Sequence, residues 1–93
     1  MTDIAETLAE RGTRYGSFEG HAHITQQLKL TMRAHKSGTG WVSLTHSQTE
    51  ALEMIAHKIG RILNGDPNYA DSWHDIAGYA KLVEDELNEK KQP

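Results

Sequence analysis

Residues 47–65, SQTEALEMIAHKIGRILNG, decide the fold of this chain because they hold the start, the apolar face and the end of one long helix. The run Ser47-Gln48-Thr49-Glu50 has the spacing of a capping box, and Asn64-Gly65 is a strong helix stop. Between these signals the apolar side chains recur every three or four residues, which predicts a single buried helix face. They are Leu52, Ile55, Ala56, Ile59, Ile62 and Leu63.

A second amphipathic helix is predicted after a short turn at Asp66-Pro67, beginning near Ala70 or Asp71 and ending in a charged tail over residues 89–93. Because the connecting loop is short, the two helices are expected to pack antiparallel. The side chains expected to point inward from this last helix are Trp73, Ile76, Ala77, Ala80, Val83 and Leu87.

Two earlier helices complete the prediction. The first is short, over residues 2–11, with Thr2 as its N-cap and Gly12 as its stop, and the second covers about residues 21–36. The stretch between them, residues 12–20, contains three glycines and is predicted to be a loop that folds back on the helices.

The segment after the second helix holds Trp41, Val42 and Leu44, a short apolar connector that is expected to fill the core rather than form a strand. The fold class predicted from these elements is an all-α, four-helix bundle with a short first helix. It forms one domain over residues 1–93.

Composition limits how such a small domain can be stabilised. The chain has 93 residues and no cysteine, so neither a disulfide nor a cysteine zinc site is available, and stability must come from helix packing, association or a ligand. We therefore expect a homo-oligomer.

Charge and hydropathy exclude two classes of partner. The net charge is −3, from 10 basic and 13 acidic residues, which does not favour duplex DNA. No apolar run reaches the roughly 20 residues needed to cross a bilayer, and residues 1–6 lack the order of a signal peptide. These features predict a cytoplasmic protein with no membrane contact.

Acidic side chains are the first candidates for chemistry. Glu50 and Glu53 lie one turn apart on the polar side of the long helix and are placed to hold one cation, although a solvated face with an ordinary Glu53–His57 pair explains the same spacing. Asp71 and Asp75 share a face of the last helix, where they are either covered by another part of the protein or a ligand, or serve as a dipole partner and an ion pair.

The antiparallel arrangement separates these two acidic pairs, because each pair lies near the start of its own helix. Lys58 or Arg61 is then expected to meet Asp75 directly. Glu50 and Glu53 would reach the aspartates only in another packing or through a second subunit. A composite site between subunits is therefore one expectation.

Three runs point to a family: Arg14-Tyr15-Gly16, then residues 56–62 (AHKIGRI), then residues 71–80 (DSWHDIAGYA). Together they resemble an uncharacterised family of small phage and prophage proteins over nearly the whole chain. That family is similar to the nucleotide-modification-associated domains of phages and, more distantly, to the all-α MazG-like nucleoside triphosphate pyrophosphohydrolases.

The MazG-like resemblance implies a fold, an ion and a reaction. In that group a Glu-x-x-Glu helix and a Glu-x-x-Asp helix hold magnesium, and water cleaves the triphosphate between its α and β phosphates. Glu50 and Glu53 match the first motif, whereas Asp71 and Asp75 are one residue further apart than the second requires. The resemblance thus implies that these four carboxylates bind Mg²⁺ or Mn²⁺.

Roles for individual residues follow from the same resemblance, in a protein of the bacterial host's cytoplasm. Glu53 and Asp75 would be catalytic. The substrate-binding set consists of Arg14, Lys58 and Arg61 for phosphate and Tyr15, Tyr69 or Trp73 for the base.

The histidines do not predict a zinc site, because His21 and His23 are two apart and do not face together on a helix. His57 and His74 are each expected to be either a proton carrier or a hydrogen-bonded partner of Glu53 or Asp75.

Two other functions fit the same sequence. One is a protein that sequesters a nucleotide or signalling molecule without hydrolysing it. The other is a prophage inhibitor of a host protein, held by Trp41, Val42 and Leu44 or by the loop aromatics.

Overall fold

The computed structural model describes residues 3–35, 38 and 40–91. Its elements are α1 (Ile4–Tyr15), α2 (Phe18–Ala34), a single 3-10 turn (Trp41–Ser43), α3 (His46–Asn64) and α4 (Ala70–Lys91). No strand occurs over these residues. The prediction of an all-α chain with four helices is therefore confirmed.

The capping box of α3 is formed two residues earlier than predicted. The Thr45 hydroxyl accepts from the Gln48 backbone amide at 3.1 Å, and the Gln48 side chain accepts from the Thr45 amide at 2.9 Å. Thr45 and Gln48 match the same pattern as Ser47 and Glu50, and the earlier pair lets the helix gain residues. The predicted stop is confirmed, since the Gly65 amide closes the last turn on the Arg61 carbonyl.

The predicted loop over residues 12–20 is wrong. Helix α1 continues through Gly12 to Tyr15, and α2 begins at Phe18, so only Gly16 and Ser17 separate the two helices. Helix α1 ends at Gly16 rather than at Gly12, and Gly16 has a positive φ of 76°, which glycine adopts more readily than other residues. Thr2, the predicted N-cap, lies outside the described residues; Asp3 caps α1 instead.

The helices form an open layer with α3 in the middle. Helices α2 and α4 pack on opposite sides of α3 and make no comparable contact with each other, while α1 packs against α3 and α2. Antiparallel packing of α3 and α4 is confirmed by the salt bridge of 3.0 Å between Lys58, late in α3, and Asp75, early in α4.

Several side chains that were predicted to point inward are exposed instead. Leu63 is 68% exposed, Trp73 56% and Val42 96%. Within the described residues, the buried apolar side chains are those of Ala51, Ala56 and Ile62. Because α1, α2 and α4 leave one side of α3 without a covering helix in the described part of the chain, an apolar residue that points to that side stays exposed. Residues 89–91 of the predicted charged tail belong to α4, which continues to Lys91, whereas residues 92–93 lie outside the described residues.

Candidate functional site

The C-terminal end of α3 holds the turn between α1 and α2. The Asn64 side-chain amide donates to the carbonyls of Tyr15 at 2.7 Å and Ser17 at 2.8 Å. The Asp66 backbone amide donates to the Arg14 carbonyl at 2.7 Å. These bonds fix the end of α1 over the loop that joins α3 to α4.

This junction requires glycine at two contact points. A Cβ at Gly16 would collide with the Asn64 backbone, and a Cβ at Gly65 would collide with the backbone of Arg14 and Tyr15. Helix α1 therefore lies directly on the end of α3, with main chain against main chain. The side chains of Arg14 and Tyr15 are positioned by this contact.

Arg14 is joined to the α3–α4 loop through Tyr69. The Arg14 guanidinium donates to the Tyr69 hydroxyl at 2.8 Å, and its central carbon lies 4.7 Å from the centre of the tyrosine ring. The Tyr69 hydroxyl in turn donates to the Asp71 carboxylate at 3.0 Å, a bond that raises the pKa of Tyr69. Arg14 also pairs with Glu10 at 2.9 Å on the exposed side of α1.

Arg61 makes the matching contact with Tyr15. Its guanidinium lies 4.1 Å from the centre of the Tyr15 ring, and the Tyr15 and Tyr69 rings meet edge to face at 6.2 Å. No carboxylate lies within salt-bridge distance of Arg61 in the described part of the chain. We call the group formed by Arg14, Tyr15, Arg61 and Tyr69 the arginine–tyrosine cluster.

A cavity of about 230 Å³ opens beside the cluster, between α1 and the middle of α3. Apolar and cationic groups share its wall. Among the side chains that line it are Leu8, Tyr15, Phe18, His21, His57 and Arg61.

Two histidines form the floor of this region. The His21 ring is within hydrogen-bond distance of the His57 carbonyl, at 3.1 Å, and the two rings meet edge to face at 4.4 Å. Burial, followed by the positive charge of Arg61, lowers the pKa of His57 from 6.5 to about 4. Burial also lowers the pKa of His21. Both rings are therefore neutral near pH 7, and His57 lies against His21 rather than pairing with Glu53.

This histidine pair makes folding sensitive to acid. Unfolded His57 takes up a proton near pH 6.5, but the folded ring resists protonation until about pH 4. The free energy of unfolding should therefore be fully present above pH 6.5 and fall as the pH drops from 6.5 towards 4. Urea unfolding at pH 7.5 and pH 5 would measure this loss, and His57→Gln should make it smaller. An equal loss in the variant would contradict the assignment.

The carboxylates predicted to bind metal do not come together within one chain. Glu53 pairs with Arg33 at 2.8 Å, and Asp75 pairs with Lys58, which lowers the pKa of that carboxyl. Asp71 accepts from Tyr69, and Glu50 lies near the start of α3, at the other end of the hairpin. Over the described residues, no three histidine, aspartate or glutamate side chains group around a possible metal position.

Glu50 instead shares a groove with the far part of α4. This groove, about 490 Å³, is lined by His46, Glu50, Tyr79, Leu82 and Glu86 among others. Glu86 was not predicted as a site residue. Counting outward from the Lys58–Asp75 pair places Val83 opposite Glu50, and Glu86 follows about one helical turn further along α4, on the wall of the same groove.

Trp73 donates from its indole nitrogen to the Pro67 carbonyl at 2.8 Å and is not part of the cluster. Asn64, which positions Arg14 and Tyr15, looked from sequence only like a helix stop. Gly78 lies beside Asp75 on α4, and among the described residues no neighbouring group comes within 4 Å of the position of an added Cβ.

Comparison with known proteins gives one match. The family described as Domain of unknown function (DUF6378) matches residues 2–87. Neither a curated protein nor a solved structure matches the chain. Within the described residues, no helix has both the length and the apolar character to cross a membrane.

Proposed function

We propose that this chain, which belongs to the DUF6378 family, binds a nucleotide at the arginine–tyrosine cluster. One observation supports the proposal above all others. Four of the six residues predicted to contact substrate lie in one continuous set of contacts. Of the other two, Lys58 is one helical turn from Arg61 on α3, and Trp73 lies outside the cluster.

The chemistry of the cluster suits a phosphate joined to an aromatic base. A guanidinium presents paired N–H donors that match two phosphate oxygens, and tyrosine rings provide apolar faces on which a base can stack. Arg61 has no carboxylate partner over the described residues, so a phosphate would not have to displace one. The neutral rings of His57 and His21 add hydrogen-bonding groups without adding charge.

Binding without hydrolysis is the form that the geometry supports best. Within one chain the residues do not fit a metal ion, because Glu53 and Asp75 are already paired with cationic side chains. Hydrolysis with Mg²⁺ or Mn²⁺, as in the MazG-like pyrophosphohydrolases, is the alternative. It requires Glu50, Glu53, Asp71 and Asp75 to meet across two copies of the chain.

The remaining parts of the proposal are a phage or prophage origin, the cytoplasm of a bacterial host as the location, and a homo-oligomer as the assembled state.

A host protein as partner is a second candidate function, favoured by Val42, which is 96% exposed on the 3-10 turn. That partner would contact Val42 and would still bind a variant that lacks Arg61.

Thermal unfolding with nucleoside mono-, di- and triphosphates, with and without Mg²⁺, tests the proposal. A bound nucleotide should raise the melting temperature by mass action. We expect Arg61→Ala to weaken binding by about tenfold or more, equivalent to roughly 1.4 kcal/mol. Arg33→Ala is the matched control, because it removes the same charge from an arginine on α2 that lies outside the cluster.

Product analysis of the same mixtures separates the two forms of the proposal. A thermal shift without pyrophosphate release indicates binding alone, and release that requires Mg²⁺ indicates hydrolysis. The absence of any thermal shift, or equal binding by Arg61→Ala and the wild type, would contradict the nucleotide site.

A further inference from the structure

One side of the helix layer is apolar and uncovered. Helices α3 and α4 both turn apolar side chains to this side, and the groove between them, about 370 Å³, includes Leu52, Ile55, Ala80 and Val83 in its wall. We call this surface the open face. Its main side chains are Leu52, Ile59 and Leu63 on α3 and Trp73, Ala77 and Ala80 on α4.

The open face coincides with the predicted core. All six of these residues belong to the apolar patterns of the two helices. Leu52 is nevertheless 39% exposed, and Leu63 and Trp73 are exposed by more than half. Stable helical domains bury such a stripe against a second layer of helices. In this chain α2, α3 and α4 supply one layer, and α1 does not lie in the α3–α4 groove.

The accessible surface area of the chain is larger than that of a compact monomer of the same mass. The accessible surface is 6954 Å² for a chain of 10.4 kDa, whereas a compact monomer of that mass has roughly 5,400 Å². The radius of gyration, 15.9 Å, also exceeds the roughly 12 Å expected for a compact chain of this length. The excess area is larger than the roughly 800 Å² that each partner buries in a stable dimer.

The interior of the chain is too small to hold the layer together alone. Ala51, Ala56 and Ile62 are its buried apolar residues over the described part, and no large side chain there is fully buried. A chain whose core is completed by its partner needs that partner whenever it is folded. A second copy of the same chain meets this condition, since it is always present at the same concentration.

The open face is also suited to pack against itself. It combines large side chains, Leu52, Leu63 and Trp73, with a strip of small ones, Ala77 and Ala80. Under two-fold symmetry, the large residues of one face meet the small residues of the other, as ridges fit grooves between helices. The charged residue nearest this strip on α4, Glu84, is already paired with Lys81.

We propose that a second copy of the chain docks on the open face through its own open face, giving a two-fold homodimer with two helix layers. This specifies the surface of the oligomer named in the proposed function, and it does not depend on nucleotide binding. The arginine–tyrosine cluster lies where α1 contacts the C-terminal part of α3, away from the α3–α4 groove.

The molar mass in solution tests this dimer. Light scattering during gel filtration should give twice the chain mass of 10.4 kDa for the wild type. Ala80→Glu and Leu63→Glu both place a charge on a residue that is exposed in the single chain, and we expect each to shift the dimer–monomer equilibrium by at least tenfold towards the monomer. Leu30→Glu is the control, because Leu30 is 57% exposed on α2, outside the open face.

A second measurement covers the case in which the charged variants fail to fold. The chain has no cysteine, so a disulfide in a variant with one cysteine, at position 77, 80 or 63, can only join that position to the same position of a second chain. Oxidation should cross-link at least one of these variants into a covalent dimer, whereas Leu30→Cys should stay uncross-linked. A monomeric wild type, or a dimer that Leu30→Glu dissociates and Ala80→Glu does not, would overturn the proposal. Nucleotide binding by a folded Ala80→Glu monomer would leave the two proposals separate.

Discussion

Asn64→Ala should lower the melting temperature by about 8–16 °C. The side-chain amide of Asn64 donates to the carbonyls of Tyr15 and Ser17 at 2.7 and 2.8 Å, and alanine leaves both without that donor. Each lost bond is worth about 1 kcal/mol, and in a domain of this size 1 kcal/mol corresponds to about 4–8 °C. Because these bonds hold the end of α1, nucleotide binding should weaken together with stability.

Two further variants separate this role from the general effect of losing an asparagine. Asn68→Ala changes an exposed asparagine of the α3–α4 loop whose backbone amide, kept in the variant, donates to the Asp66 carboxylate, and it should leave the melting temperature nearly unchanged. Asn64→Asp keeps the shape of the side chain but cannot donate, so it should resemble Asn64→Ala. A melting temperature of Asn64→Asp close to that of the wild type would contradict the donor role.

The helices themselves were largely predictable, because their signals are local. Capping pairs, the three-to-four spacing of apolar residues and the Asn64-Gly65 stop all act within a few residues. Residues 12–20 were wrongly predicted to be a loop, because the sequence does not show that the three glycines have different surroundings. Gly16 needs a left-handed φ, Gly20 lies against the Asn64 side chain, and Gly12 has open space around it. Asn64 is distant in sequence, and no local pattern indicates that contact.

The candidate site was predictable as a set of residue types but not as a geometry. Arg14, Tyr15, Arg61 and Tyr69 do meet, whereas the two acidic pairs are held apart by the hairpin. Glu53 and Asp75 are in addition paired with Arg33 and Lys58. A hydrophobic pattern states which side chains favour burial. It does not state whether the cover comes from the same chain, and this explains why Leu63 and Trp73 were predicted to be core residues and are exposed.

Gly60→Ala should destabilise the chain, although alanine is the better helix former. Gly60 lies on the side of α3 that contacts α2, beside the buried residues His21 and Thr25. A Cβ there would collide with the Thr25 hydroxyl and come within 2.8 Å of the His21 ring. Such overpacking costs about 1–3 kcal/mol. Alanine gains only about 1 kcal/mol over glycine in helix propensity. With a cost at the upper end of its range, we expect a net loss of about 2 kcal/mol in the free energy of unfolding.

Gly78→Ala should change the free energy of unfolding in the opposite direction and is therefore the matched control. Gly78 also lies inside a helix, but an added Cβ would meet nothing within 4 Å, so alanine should stabilise the chain by about 0.5–1 kcal/mol. Thr25→Ala should partly rescue Gly60→Ala, because it removes a buried hydroxyl that has no hydrogen-bond partner and lies in the path of the new methyl group. Urea unfolding of the two single glycine variants and of the double variant measures all three effects. If Gly60→Ala stabilised the chain as Gly78→Ala does, backbone propensity rather than the α2–α3 contact would govern position 60.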